Sequence, residues 1–142
     1  MFSKEERSKF PYWFAHWCAF NMTALNLKHW RFRYLFHDFE KPWLRLFLPY
    51  EKVQKFHRYH SAHHSEFFVR NGWLHWDDMI IDWECSHFTK TQSPWLANEV
   101  IDKEIEKLKA LNPTEEQFEY FVEKSHEALR ALGLDKKEEK EN

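Results

Sequence analysis

Residues 49–72 read PYEKVQKFHRYHSAHHSEFFVRNG. A proline opens this segment and an Asn-Gly pair closes it, and no helix breaker lies between them, so it predicts one helix over residues 50–70. A helix advances about 100° per residue, which places three of its four histidines on one stripe. The stripe consists of His57, His60 and His64, whereas His63 points elsewhere. The segment therefore predicts a helical fold that presents a column of imidazoles.

The remainder of the chain also predicts helices. Capping residues, prolines and apolar periodicity indicate five more, over residues 11–25, 27–39, 74–88, 94–111 and 114–132. The helix over 27–39 places His37 and Asp38 in its last turn, and Ser93-Pro94 begins the helix over 94–111. With only 2 Gly and 5 Pro, we expect an all-α fold, a compact bundle of about six helices. Residues 1–134 are expected to form a single domain and 135–142 a charged flexible tail.

Composition and charge narrow the class of protein. The 142 residues are 43% hydrophobic and 19% aromatic, and the formal net charge is -2. That charge predicts no general attraction to nucleic acid. No apolar run approaches the roughly 20 residues of a membrane span, and two widely spaced cysteines fit a reducing cytoplasm. We therefore expect a cytoplasmic protein that does not bind membranes. A homodimer, through the last two helices for instance, remains open.

Histidine is concentrated in one part of the chain. Nine of the 10 histidines lie between His16 and His87. Asp78 and Asp82 are four residues apart and share one face of the predicted fourth helix, which His75 joins. Imidazole and carboxylate groups together suit divalent Zn, Mn, Fe or Ni, whereas the lack of clustered thiolates argues against a structural zinc finger. Without a metal, burying these groups together would cost a few kcal/mol for each unpaired one.

The segment His37-Asp38-Phe39-Glu40-Lys41 resembles the His-Asp-x-x-Lys signature of the HD-domain superfamily of metal-dependent phosphohydrolases. A histidine before the doublet and an aspartate on a later helix match its order. The closer likeness is to a branch of small proteins of unknown function that have a His-x5-His-His segment followed by Met-x-x-Asp-Trp. The corresponding residues here are His57, His63-His64 and Met79 to Trp83.

This likeness covers roughly residues 13–84 and departs from the family pattern in two places. Glu40 stands where a small residue is common, and Ser61-Ala62 stand where Asn-Pro is frequent. Both changes leave the implied metal ligands intact. They do affect positions where substrate contacts would be expected.

The resemblance implies roles for the clustered residues. His16, His37, Asp38 and Asp82 would bind a first divalent metal ion. His57 and His64 would bind a second ion bridged through Asp38, or contact phosphate. Lys41 would offset charge on the phosphoryl group, and a solvated lysine at a helix end is an equal alternative. Asp78 would orient a ligand or activate water, although a solvent-facing carboxylate is the more ordinary use of such a residue. His60 and His63 are further candidates.

The implied function is hydrolysis of a nucleotide or another small phosphate ester, with one or two Mn, Zn, Fe, Ni or Mg ions. Two alternatives belong to other classes. One is a di-iron oxygenase of the HD type, since the chain has enough histidines for two irons. The other is a non-catalytic binding module that a metal stabilises. The chain offers no nucleotide-recognition motif, so the substrate stays open.

Overall fold

The computed structural model describes residues 10–89 and 96–135, which are helical and include no strand. Seven α-helices and two short 3-10 helices, Phe32–Phe36 and Ser86–Phe88, follow one another in this part of the chain. The α-helices are α1 (Phe10–Asn26), α2 (Glu40–Arg45), α3 (Tyr50–His60), α4 (Ser65–Asn71), α5 (Trp76–Cys85), α6 (Ala97–Lys109) and α7 (Glu115–Ala131). The prediction of an all-α bundle is confirmed.

Helix α5 is the centre of the bundle. Six consecutive residues, Asp78 to Trp83, are buried, and the helix contacts α1, α6 and α7. A helix that is buried on every side is typical of the core of a domain. Its apolar residues pack into the core with Phe20, Phe68 and Phe121, while Asp78 and Asp82 face the polar side of the bundle.

Several predicted boundaries agree with the structure. Helix α1 covers the predicted 11–25, and Thr114 begins α7 with the expected capping box, in which its hydroxyl accepts a hydrogen bond from the amide of Gln117 at 3.1 Å. The predicted start of α6 at Ser93-Pro94 lies outside the described residues. So do residues 1–9 and most of the expected tail, 136–142.

The prediction of a helix over residues 27–39 is wrong. Lys28 and Asp38 have positive φ angles of 57° and 53°, which an α-helix cannot contain. Only the 3-10 turn Phe32–Phe36 forms between them, and His37-Asp38 lie just before α2 rather than at the end of a helix. Pro42 lies in the first turn of α2, where amide hydrogens have no partner within the helix.

The prediction of one helix over residues 50–70 is also wrong, because the helix is interrupted between α3 and α4. Ser61 and His64 are both extended, with ψ angles of 126° and 147°. The carbonyl of Ala62 in this break accepts a hydrogen bond from the amide of His75 at 2.8 Å. Because of this break the described residues form seven α-helices where six were expected. The break also changes which histidines point to the same side. The end of α4 at Gly72, with φ of 81°, agrees with the prediction.

None of the helices in the described ranges has both the length and the apolar character that a membrane crossing requires.

Candidate metal centre

Helix α1 holds the chain segment that carries the His-Asp doublet. Three α1 side chains, spaced four residues apart, donate hydrogen bonds to its backbone carbonyls. Trp13 Nε1 donates to His37 O at 3.0 Å, Trp17 Nε1 to Leu35 O at 2.9 Å, and Asn21 Nδ2 to Tyr34 O at 3.1 Å. Tyr34 O also accepts the backbone amide of His37 at 3.2 Å, so the side-chain bonds fix a non-helical segment against α1. The doublet is therefore positioned by long-range contacts.

Four side chains converge beside α1, where each offers one ligand atom. They are His16, His37, Asp38 and Asp82, all buried. His16 Nε2 lies 3.0 Å from His37 Nε2 and 2.9 Å from Asp82 Oδ1. His37 Nε2 lies 3.2 Å from Asp82 Oδ1, and Asp38 Oδ2 is 3.4 Å from His16 and 3.5 Å from His37.

These separations match a set of ligands around one ion. Two atoms that bind the same ion at about 2.0–2.2 Å lie about 3–3.5 Å apart in tetrahedral or octahedral coordination. Asp82 comes from α5 and His16 from α1, so the centre joins the two helices of the core to the doublet. The residues present therefore fit a divalent metal.

A second cluster lies on the other side of Asp38. His57, His63 and His64 each place one ring nitrogen within 4.8 Å of the others. Asp38 Oδ1 is 3.2 Å from Nε2 of both His57 and His63, but these contacts lack the orientation of hydrogen bonds. Asp38 Oδ1 and the Nε2 atoms of all three histidines are buried without a hydrogen-bond partner in the described structure. Unpaired buried polar atoms are costly, and a second ion would satisfy all four.

The break between α3 and α4 corrects the predicted column of histidines. His63, expected to point elsewhere, faces Asp38, whereas His60 is exposed and its Nδ1 donates to Phe56 O at 2.9 Å. His64 belongs to the second cluster as expected. His75 lies outside both clusters, against the ring of Trp73. A continuous helix was assumed for these predictions, and the break rotates residues 61–64 relative to α3.

Glu40 has a place in the site that the sequence did not reveal. Its Oε1 accepts a short hydrogen bond from Nδ1 of His57 and lies 3.4 Å from Ser61 Oγ. With the proton on Nδ1, Nε2 of His57 offers its lone pair toward Asp38. Burial lowers the pKa of His57 to about 4, so the ring is neutral near pH 7. A carboxylate that orients a histidine in this way is common behind metal ligands.

The two aspartates of the first cluster are ionised despite their burial. Burial alone would raise the pKa of Asp38, but His37, His57 and Lys41 outweigh it and hold this pKa well below its usual range. For Asp82, burial is likewise outweighed, chiefly by hydrogen bonds from His16 and His37. Two ionised carboxylates together with the imidazole nitrogens form a set of ligand atoms that attracts a cation.

Lys41 is a buried residue and not a solvated helix-end lysine. Its Nζ lies 3.3 Å from Asp38 Oδ2, and 8% of the residue is exposed. Burial lowers the pKa of Lys41, but the Asp38 carboxylate and other nearby anions raise it by more. The ammonium group is therefore charged beside the centre.

Asp78 is held by an arginine. Arg33 Nε donates to its Oδ2 at 3.0 Å and Arg33 Nη2 to its Oδ1 at 2.8 Å. Burial is outweighed by this guanidinium, which lowers the pKa of Asp78. With both oxygens engaged, Asp78 is better suited to positioning Arg33 than to activating water.

A cavity of about 180 Å³ gives access to the centre from the solvent side. Its wall includes metal-ligand candidates of both clusters, together with Arg33 and Asp78. The lining residues are Arg33, Tyr34, Phe36, His37, Asp38, Glu40, Ser61, Ala62, His63 and Asp78. A small molecule in this cavity would therefore contact the candidate metal-binding side chains.

Comparison of the chain with models of known families, with curated proteins and with solved structures finds no match.

Single substitutions of histidines test the site. His63→Ala is expected to remove most binding of a second ion, and His37→Ala most binding of the first, because each loses a buried ligand. His60→Ala, the matched control, should bind metal like the unchanged chain. Elemental analysis of untagged protein equilibrated with Mn²⁺ or Zn²⁺ measures this. Normal metal content in His37→Ala and His63→Ala, or its loss in His60→Ala, would contradict the assignment.

Glu40→Gln is expected to weaken binding of the second ion by about 10- to 100-fold, because the neutral amide orients and polarises His57 less well than a carboxylate. Titration calorimetry with Zn²⁺ measures the affinity. Glu66→Gln is the control, since Glu66 pairs with Arg58 at 3.4 Å and touches neither cluster. Equal affinities in both variants would show that Glu40 has no part in the site.

Proposed function

We propose that this chain is a metal-dependent phosphohydrolase that acts on a nucleotide or another small phosphate ester. The observation that carries the proposal is the buried cluster of His16, His37, Asp38 and Asp82, which could hold a metal ion. The resemblance of His37-Asp38-x-x-Lys41 to the HD-domain signature adds the reaction class. The fold analogy alone would not specify the chemistry.

Within this proposal His16, His37, Asp38 and Asp82 would hold the first ion, and His57, His63 and His64, next to Asp38, would hold a second. Bound metal supplies Lewis acidity and a water molecule of lowered pKa. The chain itself contributes a fixed ligand set, because Trp13 and Glu40 hold His37 and His57 in place. Lys41 stabilises negative charge that develops on the phosphoryl oxygens.

Hydrolysis replaces one P–O bond by another. The water oxygen bonds to phosphorus, the ester P–O bond breaks, and the leaving oxygen takes up a proton. The cavity beside His37 and His63 admits the phosphate group to the centre.

One alternative has support from a specific observation. Three imidazoles in addition to the first cluster, joined to it by a carboxylate, also suit a pair of irons. A di-iron oxygenase predicts iron in the purified protein and a near-ultraviolet charge-transfer band after anaerobic iron loading. A colourless protein that hydrolyses phosphate esters with Mn²⁺ instead would support the phosphohydrolase.

The proposal is tested with untagged protein, loaded with Mn²⁺, Zn²⁺ or Mg²⁺, against nucleotides and simple phosphomonoesters. Asp38→Ala is expected to reduce turnover by at least about 1,000-fold, because it removes a ligand shared by both ions and the partner of Lys41. His60→Ala should retain full turnover.

Two results would overturn the proposal. One is full hydrolysis by Asp38→Ala. The other is a metal-loaded chain with no turnover of any ester whose melting temperature falls greatly on chelation, which would identify a metal-stabilised binding module instead.

A further inference from the structure

We propose that Arg33, oriented by Asp78, binds a phosphate oxygen of the substrate, and that the substrate is a phosphomonoester with a small group next to the phosphate. The inference rests on the proposed function, since it concerns the cavity beside the metal centre. It adds a recognition residue that neither the sequence motif nor the ligand set includes.

The Arg33 guanidinium is held from two directions. Asp78 accepts hydrogen bonds from Nε and Nη2, and the guanidinium carbon lies 5.3 Å from the centre of the Tyr34 ring. Among the described residues, none accepts a hydrogen bond from Nη1. An arginine with one edge fixed by a carboxylate keeps its remaining N–H groups available for a phosphate oxygen.

The arrangement has a reason to be rigid. Asp78 belongs to the central helix α5, and its side chain is 10% exposed against 42% for Arg33. An exposed arginine loses side-chain entropy when it binds a ligand, and prior fixation by Asp78 lowers that cost. Because the two charges offset each other, recognition depends on directed hydrogen bonds more than on net charge.

Tyr34 adds a neutral donor to the same cavity. The residue is 1% exposed, and its hydroxyl lies close to the Asp78 carboxylate without a hydrogen bond of good geometry. Burial, and next the Asp78 carboxylate, raise the pKa of Tyr34, so the phenol keeps its proton near pH 7. Arginine and a phenol in the cavity wall, with the ammonium group of Lys41 behind Asp38, suit an anion with several oxygens.

The size of the cavity limits the substrate. Pockets that enclose a drug-sized ligand measure about 300–1,000 Å³, whereas this one measures about 180 Å³. It has room for a phosphate and a short stem, and any larger group would lie outside. A terminal phosphate, with three oxygens free to meet bound metal and Arg33, matches a cavity of this size better than a diester, which carries a second ester group on the phosphorus.

Three measurements on the full-length chain test the inference: metal content, affinity of the metal-loaded protein for inorganic phosphate, and kcat and KM for p-nitrophenyl phosphate and bis(p-nitrophenyl) phosphate. Arg33→Ala should keep its metal and bind phosphate about 10- to 100-fold more weakly, as expected for a lost hydrogen bond to a charged group. Asp78→Asn should raise KM for the monoester less than Arg33→Ala does and change kcat little. Arg58→Ala is the control, because Arg58 also pairs with a carboxylate but lies outside the cavity.

The outcomes separate this inference from the proposed function. Unchanged phosphate affinity in metal-loaded Arg33→Ala overturns the inference and leaves the phosphohydrolase intact. Loss of metal in Arg33→Ala also overturns it, since Arg33 would then support the centre itself. Faster turnover of the diester than of the monoester overturns the substrate class. If the unchanged chain neither binds metal nor hydrolyses an ester, the proposed function is wrong, and the inference that rests on it is wrong with it.

A second inference comes from the outer face of α1. This helix contains no charged residue, and four of its large apolar residues are at least half exposed. They are Phe10 (60%), Phe14 (52%), Met22 (59%) and Leu25 (56%). Apolar residues of the neighbouring segment continue the surface, among them Phe36, Phe39, Trp43 and Leu46.

Two apolar grooves flank the ridge that α1 forms. One of about 450 Å³ lies between α1 and the 3-10 segment, beside Met22, Leu25 and Leu35. The other, of about 400 Å³, lies between α1 and α2, beside Phe10, Trp13 and Trp43. A ridge between two grooves is self-complementary, because the ridge of one copy can enter a groove of another.

The area of this surface is also informative. Aromatic and large aliphatic side chains at about half exposure, ten or so in number, present on the order of 1,000 Å². The largest apolar patch of a monomer is typically about 300–600 Å², and a stable dimer needs about 800 Å² from each partner. We infer that a second copy of this chain covers the α1 face, in a two-fold dimer.

Light scattering coupled to gel filtration tests the dimer. The unchanged chain should have the mass of a dimer at micromolar concentration, and Phe14→Glu should be a monomer with the same circular dichroism spectrum, because a buried unpaired carboxylate opposes association. Tyr120→Glu, at a 44% exposed residue of α7, is the control and should remain dimeric. A monomeric unchanged chain, or a dimer that persists in Phe14→Glu, overturns the inference. Binding to neutral lipid vesicles by a monomeric chain would assign the face to a membrane surface instead.

Discussion

The carboxylate of Asp38 is surrounded by groups that can carry positive charge, and the rest of the site is arranged around it. Its side chain is 2% exposed and lies within 3.5 Å of His16, His37, Lys41, His57 and His63. An ionised carboxylate away from water costs several kcal/mol unless it is paired or coordinated. Asp38 has a positive φ angle of 53°, and its Oδ2 faces one histidine cluster while its Oδ1 faces the other. Aspartate is among the few residues that adopt this conformation readily.

The parts of the fold that depend on local signals could be predicted from the sequence. Capping at Thr114, the glycine after α4 and the apolar periodicity of α6 and α7 act within one or two turns of a helix. The segment from Lys28 to Asp38 and the break at Ser61–His64 depend on contacts with residues distant in sequence. Side chains of α1 donate hydrogen bonds to carbonyls of the segment within residues 27–39. Nothing in the local sequence pattern indicates those bonds, so the helical propensity of the segment was misleading.

The same distinction applies to the site. The order of His16, the doublet and Asp82, together with the resemblance of the doublet to the HD-domain signature, predicted that these residues lie together, and their side chains do converge. His63 could not be chosen over His60 without the break in the helix. Glu40 and Arg33 had no motif to indicate them. A carboxylate near a ligand histidine and an arginine near a buried aspartate are recognised only once the distances are known.

Helix α1 faces the metal centre on one side and solvent on the other. His16 lies on its inner face, and Phe14 and Met22 lie on its outer face, across a helix about 10 Å in diameter. Because a helix moves as a rigid rod, a displacement at the outer face changes the distance from His16 to Asp82 by a similar amount. Metal coordination is sensitive to a few tenths of an ångström. A molecule that displaces α1 when it binds the outer face would therefore alter metal affinity, and by thermodynamic reciprocity metal binding would alter the affinity of that molecule for the outer face.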